Sequence, residues 1–412
     1  MTANAGYHAY ATGDVLTAAQ VQYNLQNQTV MYFATTTARD AALTGAILVE
    51  GMVSYTPATG LMYYNGSAWA SVSGSANVPT LSNPVLNSAM QVWQRGTSST
   101  AIATSGTFFL ADRWQVVRGG FAAGGSISRQ ATNDTTNLPN IQYCARVQRD
   151  SGNTSTATFI FGQNMETVNA IPFAGKTVTL SYYARAGANY SAASSALGTY
   201  LVTGTGTDQN GITGGYTGSS SVINGTAATL TTTWQRFTFS ATLASTATEI
   251  SIQLISSPVG TAGANDYFEI TGVQLELGST ATPFDTYATT IQGELAACQR
   301  YYYRLTNPTS SYYRFSTGQA ISTTTAQIVT QFPVTLRTAP TALEQVGTAG
   351  NYTVTSSVGG AVTCSAVPTF DLATTNSANS VFIVSAGLVA GNFTQALNTI
   401  STLAYLGWSA EL

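Results

Sequence analysis

Apolar residues in this chain recur at every second position over short runs, and the runs are separated by glycine, serine and threonine. In TVTLSYYARA, Val178, Leu180 and Tyr182 share one face. In WQRFTFSATL, Phe237, Phe239 and Ala241 share one face, while Arg236 and Thr238 take the other. Period two is strand geometry, because successive side chains of a strand point to opposite sides. Many short strands joined by loops such as TGTGTDQNGITGGYTGSSS predict a β-sandwich or jelly roll.

The stretch FEITGVQLEL, residues 268–277, sharpens this. Phe268 and Ile270 are apolar on even positions, and Val273, Leu275 and Leu277 on odd ones. One strand face can hold both sets only if an extra residue is inserted, and Gly272 is the place for such a bulge. Glu269, Gln274 and Glu276 then point away from the apolar face, as a solvated strand surface or as paired carboxylates.

Charge is scarce. Of 412 residues, 8% are charged and 44% hydrophobic, with a net charge of −3. Globular chains usually carry about a quarter charged residues. The polar surface must therefore be built from Ser, Thr, Asn, Gln and Gly. Lys176 is the single lysine, so there is no basic footprint for nucleic acid. No apolar run is long enough for a membrane span. The start, MTANAGYHAY, has neither the charged head nor the apolar core of a secretory signal. Cys144, Cys298 and Cys364 lie far apart in sequence, which predicts buried free thiols made in a reducing cytoplasm.

The chain divides into an N-terminal module (1–72), a linker (73–81), a central sandwich or jelly roll (82–287) and a last β-sandwich-like unit (288–412). The fold class expected is mainly β. In the first module Thr17 and Gln20 have capping-box spacing, and Val21 and Leu25 form a narrow helical stripe that needs a neighbour or another subunit. TTARDAAL reads as a short helix. A β-meander follows, with strands at Met52 to Tyr55, at Leu61 to Tyr64 and around Trp69. Asn65-Gly66 signals a tight hairpin with positive φ at both positions. In the last unit, Leu295 and Cys298 have helical spacing before an aromatic strand. VFIVSAGL and TLAYLGWSAEL read as nearly buried strands.

Few residues invite catalysis. His8 is the single histidine, so nucleophilic triads and histidine metal clusters lack their imidazole. Glycine stretches lack the lysine and flanks of a phosphate loop. A glycosidase needs two carboxylates, and Asp112, Asp134, Asp150, Asp266 and Glu269 could meet in the central unit. Asp112 could instead pair with Arg113 or hold a loop. Asp266 and Glu269 also offer hard oxygen ligands to a structural calcium; no other cofactor is expected. Aromatic residues are the remaining signal. Tyr301, Tyr302, Tyr303, Tyr312 and Tyr313 cluster near the last unit, and Trp408 lies in its final strand. Such side chains suit sugars and protein partners when exposed, and a core when they alternate inward.

Three stretches resemble bacteriophage tail fibres and related virion appendages. TARDAAL with EGMVSYTPATGLMYYNGSAW resembles a small module of phage virion proteins. NPVLNSAMQVWQRGTS with ADRW resembles the opening of a carbohydrate-binding-like jelly roll. ITGVQLELGSTATPFDTY with ELAACQRYYYR resembles that domain's last strand and exit, and YLGWSAEL resembles a fibre ending. One departure is that Thr286 and Tyr287 follow Asp285, where the family often places arginine. The resemblance implies a non-enzymatic, homotrimeric structural protein made in the host cytoplasm and carried on the virion. Its N-terminal module would meet phage tail or baseplate proteins, with Val21, Leu25 and Tyr32 as attachment candidates. Its distal unit would meet host polysaccharide or protein, with Tyr301, Tyr303, Tyr312, Tyr313 and Trp408 as contact candidates. A capsid decoration protein or head fibre is the alternative, and a capsular depolymerase a further one.

Overall fold

The computed structural model describes residues 15, 17, 30–44, 48–72, 83–99, 108–119, 124–138, 140–306, 312–355, 360–399 and 404–412. They belong to two compact units, Met1–Thr80 and Leu81–Leu412. The described residues are mainly β. The Thr17–Gln20 helix signal, with Val21 and Leu25, falls largely outside them.

The small unit contains β1 (Met31–Tyr32), α1 (Thr36–Ala42), β2 (Val53–Thr56), β3 (Gly60–Tyr64) and β4 (Trp69–Ser71), the strands paired in that order. α1 starts where the Thr35 hydroxyl accepts the Ala38 N–H at 3.1 Å, satisfying one of the free donors of a helix start. Its Arg39 is buried with the guanidinium 4.6 Å from the Trp69 ring centroid. The Asn65-Gly66 expectation needs correction. Tyr64 pairs with Trp69, so the loop has four residues, and only Gly66 of the two takes positive φ. The Asn65 side chain closes it, accepting the Ser67 and Ala68 N–H groups at 3.0 and 2.8 Å; an Asx turn replaces the tight hairpin.

The large unit opens with a sandwich. Its strands are β5 (Ser98–Ser99), β6 (Phe108–Phe109), β7 (Gln115–Arg118), β8 (Gly125–Ala131), β9 (Tyr143–Arg149) and β10 (Phe159–Asn164). They continue with β11 (Thr177–Ala186), β12 (Ala192–Gly204), β13 (Ser220–Thr229), β14 (Gln235–Thr242), β15 (Glu249–Pro258) and β16 (Tyr267–Leu277). One sheet runs β13-β12-β15-β10-β7-β6 and the other β14-β11-β16-β9-β8-β5. The apolar alternates meet between them. Val178, Leu180 and Tyr182 of β11 join Leu197 and Leu201 of β12 and Ile250, Ile252 and Leu254 of β15.

The phase switch in β16 is a bulge at Gly272. Ser181 pairs with Gln274 and Tyr183 with Thr271, so β16 advances one residue more than β11 between these pairs. Phe268 and Ile270 before the bulge and Val273 and Leu275 after it all enter the core. Gly272 has φ +59°, and a Cβ there would lie 2.7 Å from the Tyr183 ring, so only glycine fits without strain.

The polar face of β16 is not solvated as expected. Glu269, Gln274 and Glu276 are buried. The corner after the strand folds back over them: the Thr282 N–H donates to Glu276 Oε1 at 3.0 Å, and the Asp285 N–H to Gln274 Oε1 at 2.8 Å. Asn83 ties the domain's opening to this corner through the Val273 and Asp285 carbonyls. Asp285 itself accepts from the Thr286 N–H at 2.8 Å.

A helix, α2 (Ile291–Gln299), leads to the last strands, β17 (Tyr302–Thr306), β18 (Arg314–Ala320), β19 (Thr325–Gln331), β20 (Glu344–Gln345), β21 (Tyr352–Thr355), β22 (Ala361–Thr363), β23 (Thr369–Ala373), β24 (Ser377–Ile383), β25 (Phe393–Asn398) and β26 (Tyr405–Ser409). A three-stranded sheet, β17-β26-β20, faces a seven-stranded one, β22-β21-β25-β18-β19-β24-β23. Leu406 and Trp408 fill the space between them with Ile328, Tyr352 and Phe382.

Side chains from both halves of the large unit lock together. Arg300 meets Glu166 at 3.0 Å, Arg337 meets Asp208 at 3.4 Å, and Arg113 pairs with Glu411. Gln94 Nε2 donates to the Tyr302 carbonyl at 2.7 Å. Glu294 of α2 accepts from the Asn87 N–H, far back in the sandwich's first loop.

Candidate functional site

Strand alternation places the site. On the inward side of the three-stranded sheet, Tyr303 and Trp408 stack with ring centroids 6.2 Å apart, and Phe332 closes on both. On the outward side lie Tyr302, Arg304, Tyr405, Gly407 and Ser409. Arg304 pairs with Gly407, which pairs in turn with Glu344. Gly407 leaves room there, because a Cβ would lie 2.5 Å from the Tyr302 hydroxyl. That hydroxyl crosses the glycine and donates to Glu344 Oε2 at 2.8 Å. Burial pushes the Tyr302 hydroxyl pKa well up, so it remains a donor.

This outward face is one wall of a cleft of about 530 Å3, and Phe108, Phe109 and Arg95 of the sandwich form the other. The volume falls in the range of small-ligand sites. Two guanidiniums of its lining sit over tyrosine rings: Arg95 is 3.3 Å from the Tyr302 centroid and Arg304 3.6 Å from that of Tyr405. Stacking of this kind orients a cation and leaves its N–H edge for a ligand. Arg95 has carboxylates near it, with Glu411 at 3.5 Å and Glu344 at 3.9 Å. Arg304 makes no ion pair among the described residues, and its Nε is buried without a hydrogen-bond partner.

Behind this wall Asp112 holds a loop, and it does not pair with Arg113. It accepts the Gln94 N–H at 2.8 Å and the Gln94 side-chain amide. Burial raises its pKa to about 6, against the lowering pull of Arg95 and of the Gln94 hydrogen bonds.

The contact candidates from sequence separate. Tyr301 and Trp408 are 2% and 0% exposed. Tyr301 lies beneath Arg113, 3.5 Å from guanidinium carbon to ring centroid, and Trp408 is in the core. Both are corrected to packing residues, Trp408 because the alternation turns it inward and Tyr301 because Arg113 covers it. Tyr303 is half-buried in the same stack. Tyr312 and Tyr313 are exposed, ahead of β18, with Tyr313 edge-on to Phe315 at 6.4 Å; they lie outside the cleft lining. Sequence reasoning passed over Arg304, Tyr405 and Arg95. Their signal was in the alternates of YYRLT and YLGWS, once Tyr303 and Trp408 were assigned inward. In the small unit Tyr32 is 67% exposed and stacks on Tyr55 at 6.1 Å. Leu61 and Tyr63 are exposed beside Tyr55 on the same sheet face.

Asp266 and Glu269, named as oxygen ligands for a structural calcium, each meet arginine. Asp266 takes Arg149 at 2.8 Å and both the N–H and hydroxyl of Ser191. Glu269 takes Arg146 at 2.6 Å and Arg185 at 2.5 Å, one on each oxygen. One guanidinium beside Asp266 and two beside Glu269 already neutralise these carboxylates. Among the described residues no group of three or more His, Cys, Asp or Glu side chains is placed to hold a metal. All three cysteines are buried and free, as the sequence led us to expect, and burial raises the pKa of each thiol. No described helix is long and apolar enough to cross a membrane.

No family model and no curated protein matches the chain. Among solved structures, it is similar to a bacteriophage CBA120 tailspike protein 4 enzymatically active domain, at 13% identity and a TM-score of 0.29, covering 48% of this chain and 21% of that one. It is similar to a putative sugar binding protein from Bacteroides thetaiotaomicron, at 12% identity and a TM-score of 0.31, covering 48% and 100%. It is also similar to the CBM22-1 xylan-binding domain of Paenibacillus barcinonensis Xyn10C, at 16% identity and a TM-score of 0.26, covering 45% and 94%. The chain thus spans about a fifth of the tailspike chain it matches. At such scores these likenesses bear on neither ligand nor activity.

Proposed function

We propose that this chain is a virion appendage of the tail-fibre kind that binds a host-surface glycan without cleaving it. The observation that carries the binding is the cleft at the three-stranded sheet. Flat aromatic and guanidinium faces stand beside hydroxyl and carboxylate groups there, the mixture that recognises a sugar's apolar faces and its hydroxyls together. The motif resemblance supplies the virion setting. Of the five acids named for cleavage, Asp266 and Glu269 are committed to arginines.

The assembly proposed is a homotrimer, with the small unit towards phage tail or baseplate proteins. The outer face of the seven-stranded sheet supports self-association. It presents Gln319, Gln327, Val329, Leu372, Val381 and Phe393, and its charged residues among those described are Arg314 and Asp371. Several weak glycan sites on one particle would add by avidity.

The test is binding of the labelled full chain to host cells, with and without free host polysaccharide. Saturable binding that the free polysaccharide competes away is expected. No binding by a verified folded oligomer would leave a purely structural appendage, and gold-labelled antibody would then show whether it sits on tail or capsid. Release of reducing sugar ends would overturn the non-cleaving part.

A further inference from the structure

We infer that the cleft selects acidic saccharides, with a sugar carboxylate seated on Arg304; this rests on the glycan reading above. The other cleft cation, Arg95, stands within ion-pair range of Glu344 and Glu411, and behind it Arg113 is paired with Glu411. Arg304 makes no ion pair among the described residues and accepts a ring contact only, from Tyr405. Its Nε is buried without a hydrogen-bond partner, and the side chain lines the cleft. Tyr405 behind and Gly407 beside it fix where the guanidinium lies. An oriented guanidinium matches a carboxylate with charge-assisted hydrogen bonds. Glu344, across Gly407, is held by the Tyr302 hydroxyl and half-exposed, which suits a sugar hydroxyl on the side away from the carboxylate. Phe109 on the opposite wall, beside Arg95, offers apolar area for the sugar body. A neutral glycan would leave Arg304 unpaired on binding, which costs affinity in a desolvated site.

The experiment uses the full chain and a set of bacterial surface polysaccharides, each in native form and after reduction of its uronic acids to neutral sugars. Wild type is compared with Arg304→Gln and with Arg129→Gln, a control that removes the same charge from β8. The expected result is binding to uronate-containing polymers that falls roughly 10- to 100-fold on carboxyl reduction and by a similar factor in Arg304→Gln, with Arg129→Gln unchanged. Binding that survives carboxyl reduction and Arg304→Gln alike would overturn the acidic selectivity while keeping a glycan receptor. Failure of the folded wild type to bind any polymer in the set would overturn the glycan reading itself.

Discussion

Two arginine-rich faces of the large unit use the same side chains to opposite ends. On the outer face of the sandwich, Arg146, Glu269 and Arg185 lie side by side on three neighbouring strands. Arg146 stacks on Tyr267 at 3.9 Å and Arg185 on Trp234 at 4.8 Å. Here the carboxylate is fully buried and each oxygen has its guanidinium, so the charge is spent on structure. In the cleft, Arg304 also stacks on a ring, but it makes no ion pair among the described residues. Its strand neighbour is Gly407, and Glu344 beyond is bound to Tyr302. Stacked arginine alone therefore does not mark a site in this protein; Arg304 stands apart because it has no paired acid and also lines a cleft.

That contrast has measurable consequences. Glu269→Ala should be the most damaging change, about 3–5 kcal/mol by urea unfolding, because two guanidiniums lose their shared carboxylate inside the fold. Arg304→Gln should stay within about 0.5 kcal/mol of wild type in the same assay. Equal losses from the two would erase the distinction between a structural and an open arginine. Gly272→Ala should cost about 1–3 kcal/mol through its positive φ and the Tyr183 contact, with no change in glycan affinity once folded.

A titration effect of up to about 3 kcal/mol is expected from Asp112, whose pKa rises from 3.8 to about 6. A carboxyl with a raised folded-state pKa adds stability that is complete below the unfolded value and disappears as pH climbs through the folded one. The stability of wild type should thus fall between pH 4 and pH 6 relative to Asp112→Asn, and parallel pH–stability curves would contradict it. The smallest effect concerns salt. Raising ionic strength should weaken glycan binding several-fold, because salt screens the approach of an acidic chain to Arg304, and leave the Glu269 cluster's stability contribution nearly untouched.

Local physics was legible in the sequence, and long-range pairing was not. The alternation in β11 and β14, the bulge at Gly272, the short helix at Thr36–Ala42 and the helix-to-strand switch at Tyr302 depend on neighbours in sequence, and the fold follows them. The solvation of Glu269 does not. Its partners Arg146 and Arg185 lie 123 and 84 residues away, so spacing along the chain could not show that the acid is buried. The aromatic cluster shows the same division. Composition marked the region of Tyr301, Tyr303 and Trp408, but which alternates face the core depends on the seven-stranded sheet packed against them. With the phase set, Tyr303 and Trp408 turn in and Arg304 and Tyr405 turn out. Asn65-Gly66 failed for a local reason: the Asn65 side chain offered a competing turn, which lengthened the loop.

The decisive measurement is a calorimetric titration of host polysaccharide into the full chain and into an Arg304→Gln, Tyr405→Ala double variant, with thermal unfolding of both alongside. We predict that affinity drops about 100-fold or more while the melting temperature moves by no more than about 4 °C. Undiminished affinity in the folded double variant would place the glycan elsewhere and contradict the cleft as the binding site.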